Sequence, residues 1–146
     1  MMRTIHFTLP LLLPTRNEQD RMHFHEKTKL KERLAMEIRA CGFVRPINPL
    51  PLCAVTVWRH SLVEPDTDGL FGSLKQLLDV LQPQGALIAI KGKTQFRNPQ
   101  GIGIIADDRP SACDVRAYWI KARHRTDQKT VVVIRELSEM PERTAA

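Results

Sequence analysis

Two pairs of carboxylates stand out in a chain that is otherwise basic. Asp66 and Asp68 lie one residue apart in Glu64-Pro65-Asp66-Thr67-Asp68-Gly69-Leu70, and a second pair follows in Ala106-Asp107-Asp108-Arg109. In an extended segment residues i and i+2 face the same side, so Asp66 and Asp68 can offer two carboxylates to one ion. Oxygen-only ligands select hard cations, Mg²⁺ or Mn²⁺, over zinc. Asp107 and Asp108 would complete the shell from another loop. A divalent ion held in this way keeps positions open for water and phosphate, activates the water, and stabilises charge on a phosphoryl oxygen. Lys75 lies two helical turns beyond Asp68, so on a helix it returns to about the same face, within reach of a phosphate or leaving oxygen. The same residues have structural uses. Asp68 is placed to cap a helix. Asp66 after Pro65, and Asp107-Asp108 before Arg109-Pro110, suit turns.

The elements that would position these groups follow from the apolar pattern. Arg3 to Leu9 alternates, with Ile5, Phe7 and Leu9 on one side and Thr4, His6 and Thr8 on the other, which predicts a strand with one wet face. Pro10 and Pro14 end it, and a polar loop from Pro14 to His23 follows. Leu30, Leu34, Ile38 and Cys41 share one helical face, so His25 to Cys41 reads as a helix, with Gly42 as its C′ residue. Pro46, Pro49 and Pro51 make the next stretch a connector. Leu52 to His60 is apolar on both alternating sets, which predicts a central strand covered on both faces.

Gly69 to Leu81 carries the stripe Leu70, Leu74, Leu77, Leu78 and Leu81 and reads as a second helix, stopped by Pro83 and Gly85. Lys75 and Asp79 are spaced to form an exposed pair on it. Ala86 to Ile90, between Gly85 and Gly92, suggests a short strand or hairpin arm, and Asn98-Pro99-Gln100-Gly101 a turn. Gly101 and Gly103 lack the third glycine and the helix of a dinucleotide loop. Cys113 to Arg123 and Lys129 to Glu136 read as an antiparallel hairpin. The expected fold is a single small α/β domain over 1–137, with a mixed β-sheet and two helices in the order β-α-β-α-β-β. A polar tail covers 138–146.

Composition narrows the function class. The chain has 146 residues, 42% apolar, 26% charged, with a net charge of +6. That length fits one core, and the basic balance points to a polyanionic partner, nucleic acid before membrane. Candidate phosphate contacts are Arg16, Asn17, Arg21 and His23 in the loop, Lys27, Lys29 and Lys31 on the first helix, and Lys91, Lys93 and Arg97 farther on. Cys41, Cys53 and Cys113 show no C-x-x-C spacing, which speaks against zinc and a disulfide framework and for a reduced, cytoplasmic setting with buried thiols. Leu9 to Leu13 is far shorter than the ~20 residues of a membrane span.

The pattern Asp66-x-Asp68-Gly69-Leu70, then Leu74-Lys75 and Leu78-Asp79-x-Leu81, then Gly101-x-Gly103-x-Ile105-x-Asp107-Asp108 resembles the RusA family of Holliday-junction endodeoxyribonucleases, in its phage and prophage form. The early strand, the Pro-rich loop and the basic helix fit as well, so the resemblance spans residues 3 to 137. It implies a small homodimeric nuclease that binds four-way DNA junctions and nicks them in pairs with Mg²⁺. By position it assigns the first acidic pair to Asp66 and Asp68, and the catalytic member of the second pair to Asp108 with Asp107 beside it. Two positions depart from the family: Gly69 stands where Asn is usual, and Gly72 where a lysine one turn after the second Asp is usual, so the catalytic lysine is assigned to Lys75 instead. The expectation is a Mg²⁺-dependent, structure-selective DNA endonuclease acting in recombination and repair. The rival is a non-cleaving junction-binding relative.

Overall fold

A computed structural model describes residues 2–142; residue 1 and residues 143–146, the end of the expected tail, lie outside the described residues. The elements run β1 (Thr4–Leu9), α1 (Arg16–Asp20), α2 (Phe24–Ala40), β2 (Cys53–Ser61), α3 (Thr67–Gly72), α4 (Lys75–Leu81), β3 (Leu87–Ile90), β4 (Lys93–Phe96), β5 (Cys113–Lys121) and β6 (Lys129–Glu136), with a 3₁₀ turn at Arg125–Asp127. Four strands form one mixed sheet in the order β1-β6-β2-β5, and β3 and β4 form a separate hairpin. The expected α/β fold with a mixed sheet is what the chain adopts.

The sheet has two unlike faces. On the inner face, paired positions build rows across the strands: Ile5, Ile134, Val55 and Val115, then Phe7, Val132, Val57 and Ala117. Leu34, Ala35 and Ile38 of α2 and Leu77, Val80 and Leu81 of α4 join these residues in a single apolar cluster. Each such side chain taken out of water contributes roughly 1.5–3 kcal/mol, so this layer supplies most of the stabilising burial. The strict alternation of β1 is therefore real: Ile5, Phe7 and Leu9 are buried and Thr4, His6 and Thr8 exposed. The helix α2 ends where Gly42, at φ +74°, takes the left-handed conformation expected of a C′ glycine.

Several expectations need correction. The strand β2 is central, between β6 and β5, but only its inner face is covered. Thr56, Trp58 and His60 on the outer face are half-buried, because no α-helix among the described residues packs there. β5 and β6 are not a hairpin: β2 lies between them, parallel to β5 and antiparallel to β6. A strand apolar on both alternating sets competes for the central place, and the link 122–128 steps over it. The expected second helix is two helices, α3 and α4, broken at Ser73–Leu74. There the Ser73 hydroxyl donates to the Leu70 carbonyl at 2.6 Å while the Leu74 N–H bonds to Phe71 instead, and a side chain inserted into the ladder is a recognised cause of a helix break; the Ser73 carbonyl accepts from Gln19 Nε2 at 3.1 Å. Gln19 itself belongs to α1, a short helix inside what the sequence suggested was a loop. Cys53 and Cys113 are buried as expected, whereas Cys41 is exposed.

The hairpin arm forms over Leu87–Ile90 and Lys93–Phe96. Its two turn residues, Lys91 at φ 50° and Gly92 at φ 77°, both lie in the left-handed region, which is the demand of a two-residue type I′ turn. The arm projects with Leu87, Ile90 and Phe96 exposed. No helix among the described residues is long and apolar enough to cross a membrane.

Candidate active site

The first acidic pair is built by the start of α3. Asp66, not Asp68, is the N-cap: its Oδ1 accepts from the Gly69 N–H at 2.6 Å. Asp68 sits exposed in the first helical turn and makes no hydrogen bond or ion pair among the described residues. A helical step of two residues turns the chain by roughly 200°, so Asp66 and Asp68 do not share a side as they would in an extended segment. A carboxylate in the first turn is favoured by the helix dipole, and that accounts for both positions without a ligand.

The second pair lies in the loop before β5. Arg109 donates to Asp107 from its backbone N–H at 3.2 Å and from its side-chain Nε. The Arg109 hydrogen bond and charge hold the Asp107 carboxyl below its ordinary range. Asp108 is half-buried and its carboxyl is pushed upward, first by burial and then by the negative charges of Asp79 and Asp107. Asp79 was expected to pair with Lys75 along one helix. It pairs instead with Lys31 of α2, at 3.2 Å. The signal for that contact is tertiary, since α4 packs on α2, and spacing within one helix could not have revealed it.

Among the described residues no group of three or more His, Cys, Asp and Glu side chains is placed to share a metal ion. Asp66, Asp68, Asp107 and Asp108, the residues expected to hold Mg²⁺, do not gather three to one point among the described residues. Asp66 is engaged by its cap and Asp107 by Arg109, while Asp108 feels the negative charges of Asp79 and Asp107 and also interacts with the Arg109 cation.

Of the expected phosphate contacts, Arg16, Lys31 and Arg97 line two cavities, and the others lie outside them. A cavity of about 330 Å³ brings Arg16 of α1 and Lys75 of α4 together over Gln19, Asp20 and Gly72. Gln19 anchors its floor, donating to the Pro14 and Ser73 carbonyls and accepting from Gln76 at 3.5 Å. Both glutamines are buried, and neither was singled out in the sequence, where a polar residue in a loop, as for Gln19, or on a helix, as for Gln76, reads as surface. Gly72 is what allows this packing: a Cβ there would fall 2.5 Å from Arg16 Cβ and 2.9 Å from its Cγ. The stem of Arg16 thus occupies the space that a side chain at position 72 would need. A second cavity of about 340 Å³ joins Lys31, Asp79 and Arg97 beside Asn98, whose amide donates to the Asp79 carbonyl at 2.6 Å. Arg21, His23 and Lys29 are exposed around α1 and α2, as is Asn17, and Lys27 is half-buried. Lys91 and Lys93 stand apart from both cavities, at the tip of the hairpin arm.

No family model matches the chain, and no curated protein matches it.

Proposed function

We propose that the chain is a structure-selective DNA endonuclease of the RusA type, acting on branched DNA with Asp108 at the centre of its chemistry. The observation that carries this reading is the placement of Asp108: a half-buried carboxyl kept high by burial and by two neighbouring negative charges. Such crowding raises the energy of the empty site and is common where a carboxylate works on a reaction rather than on the fold. Asp68 supplies the free carboxylate of the first pair. Lys75 and Arg16 offer two cations in one cavity, suited to orient a phosphodiester or meet a leaving oxygen. The lysines of α2 add phosphate affinity that carries little sequence information. Mg²⁺ dependence and a homodimer belong to the proposal through the family resemblance. A dimer with two-fold symmetry matches a four-way junction.

A second reading is favoured by one specific observation. With Asp66 and Asp107 both engaged by their own neighbours, the chain is a junction-binding protein that does not cleave. The two readings separate on a labelled immobile four-way junction and a matched linear duplex, incubated with Mg²⁺ or with EDTA. Paired nicks that need Mg²⁺ and vanish in Asp68→Asn and Asp108→Asn support the nuclease. Tight junction binding with no nicks in any condition establishes the non-cleaving binder, and equal affinity for junction and duplex contradicts both.

A further inference from the structure

Among the described residues no α-helix covers the outer face of the four-stranded sheet, where Leu137 and Pro141 of the C-terminal segment border the strands, and its register sets side chains in rows. One row reads Thr8, Val131, Trp58 and Tyr118; the next reads His6, Val133, Thr56 and Arg116; a third sets Arg135 beside Ala54 and Asp114. Trp58 and Tyr118 stack with ring centroids 6.1 Å apart, and Tyr118 is 45% exposed. A cavity of about 450 Å³ on one side of this aromatic pair is lined by Arg116 and Arg135. On the other side a larger one, about 650 Å³, is lined by Lys121, Arg123 and Lys129 with His60. From Ala54 to His60 the strand covers roughly 20 Å, so the two basic hollows lie on one track with the rings between them.

We propose that this face binds single-stranded nucleic acid, with unpaired bases stacking on Trp58 and Tyr118 and phosphates held by the flanking cations. Aromatic rings interleaved with cations on an open surface are the combination that holds unpaired nucleotides without reading their sequence, because every base has a π-face. Duplex DNA fits poorly, since its bases are already stacked. Charge decides against the obvious competitor, a second copy of this chain docked face to face. The two hollows carry five cationic side chains against two carboxylates, Asp114 and Asp127. Asp114 is partly satisfied already, by Arg116 at 3.3 Å. Two such faces would repel, whereas a polyanion neutralises them. The inference does not rest on cleavage: it concerns the face opposite the helices and holds whether or not the chain is a nuclease.

The test is the anisotropy of a fluorescein-labelled oligothymidylate titrated with the full chain in EDTA, so that nicking plays no part. Tyr118→Ala is expected to weaken binding about 5- to 150-fold, and Tyr118→Phe, which keeps the ring, to retain it. Arg135→Gln should lower the salt slope by about 0.7. Circular dichroism and thermal melting of each variant check that the fold is kept. Wild-type affinity in a folded Tyr118→Ala overturns the proposal. So does a wild-type dimer in sedimentation that Tyr118→Ala dissociates, since the face would then belong to a second copy.

Discussion

The two acidic pairs use the same residue type for different ends. In the first, the chain turns into a helix at once, and the Asp66 carboxylate is drawn to the free Gly69 N–H. That carboxylate lowers the energy of the fold. In the second, the backbone runs through a loop between packed elements, and Asp108 is brought near Asp79 and Asp107 with part of its surface removed from water. That carboxylate raises the energy of the fold. A group that costs stability in the resting protein is the better candidate for work on a ligand, and a group that supplies stability is explained without one. The difference lies in backbone conformation, not in the residues.

Substitutions at each pair separate these two roles. The first pair gives the greatest change: Asp68→Asn should cut junction nicking by at least about 100-fold with only a small drop in melting temperature, because the exposed side chain makes no hydrogen bond or ion pair among the described residues and only its first-turn charge favours the helix. A large fall in melting temperature together with activity would make Asp68 structural and erase the distinction from Asp66. Next comes Gly72→Lys, which places a lysine where the proposed RusA-type reading would look for one. Its Cβ would collide with Arg16, and overpacking of this kind costs roughly 1–3 kcal/mol, read as a lower midpoint in urea. An unchanged midpoint would show that Arg16 gives way freely. Asp66→Ala should then cost about 1 kcal/mol through the lost cap, while Asp66→Asn, an equally good cap, should melt near wild type. Equal losses in the two would mean that charge, not capping, is what the fold uses there.

The smallest effect is the most diagnostic of the second pair. The folded pKa of Asp108 is raised, so its contribution to stability is fully present below the unfolded value, near pH 4, and is lost as pH rises through the folded value. Asp108→Asn should therefore melt above wild type at pH 7, and the gain should fade as both proteins are acidified past pH 4. A variant that melts below wild type at pH 7 would mean that the carboxylate is favourably paired, contrary to its crowded setting.

Much of the fold is readable from residue pattern because it depends on neighbours in sequence. The alternation of Ile5, Phe7 and Leu9 specifies β1, the spacing of Leu30, Leu34 and Ile38 specifies one face of α2, and Gly42 marks its end. What the pattern could not supply are contacts made across the chain. At the break between α3 and α4 the Ser73 carbonyl is met by Gln19, more than fifty residues away. The partner of Asp79 is Lys31, on another helix. The pairing of β5 with β2 depends on competition between strands, not on the short link to β6. The candidate site divides in the same way. Asp66 and Asp68 were legible as carboxylates at a helix start, yet which of them caps follows from one residue of helix register. Arg16 and Lys75 were each legible as cations, but their shared cavity exists only because Gly72 lets α1 approach α3.

The central claim, that Asp108 serves chemistry while Asp66 serves the fold, is tested most directly by the single-turnover nicking rate of Asp108→Asn on an immobile four-way junction with saturating Mg²⁺. The expected result is a fall of at least about 100-fold, with junction affinity kept or tightened and the fold intact. Nicking at the wild-type rate would contradict it.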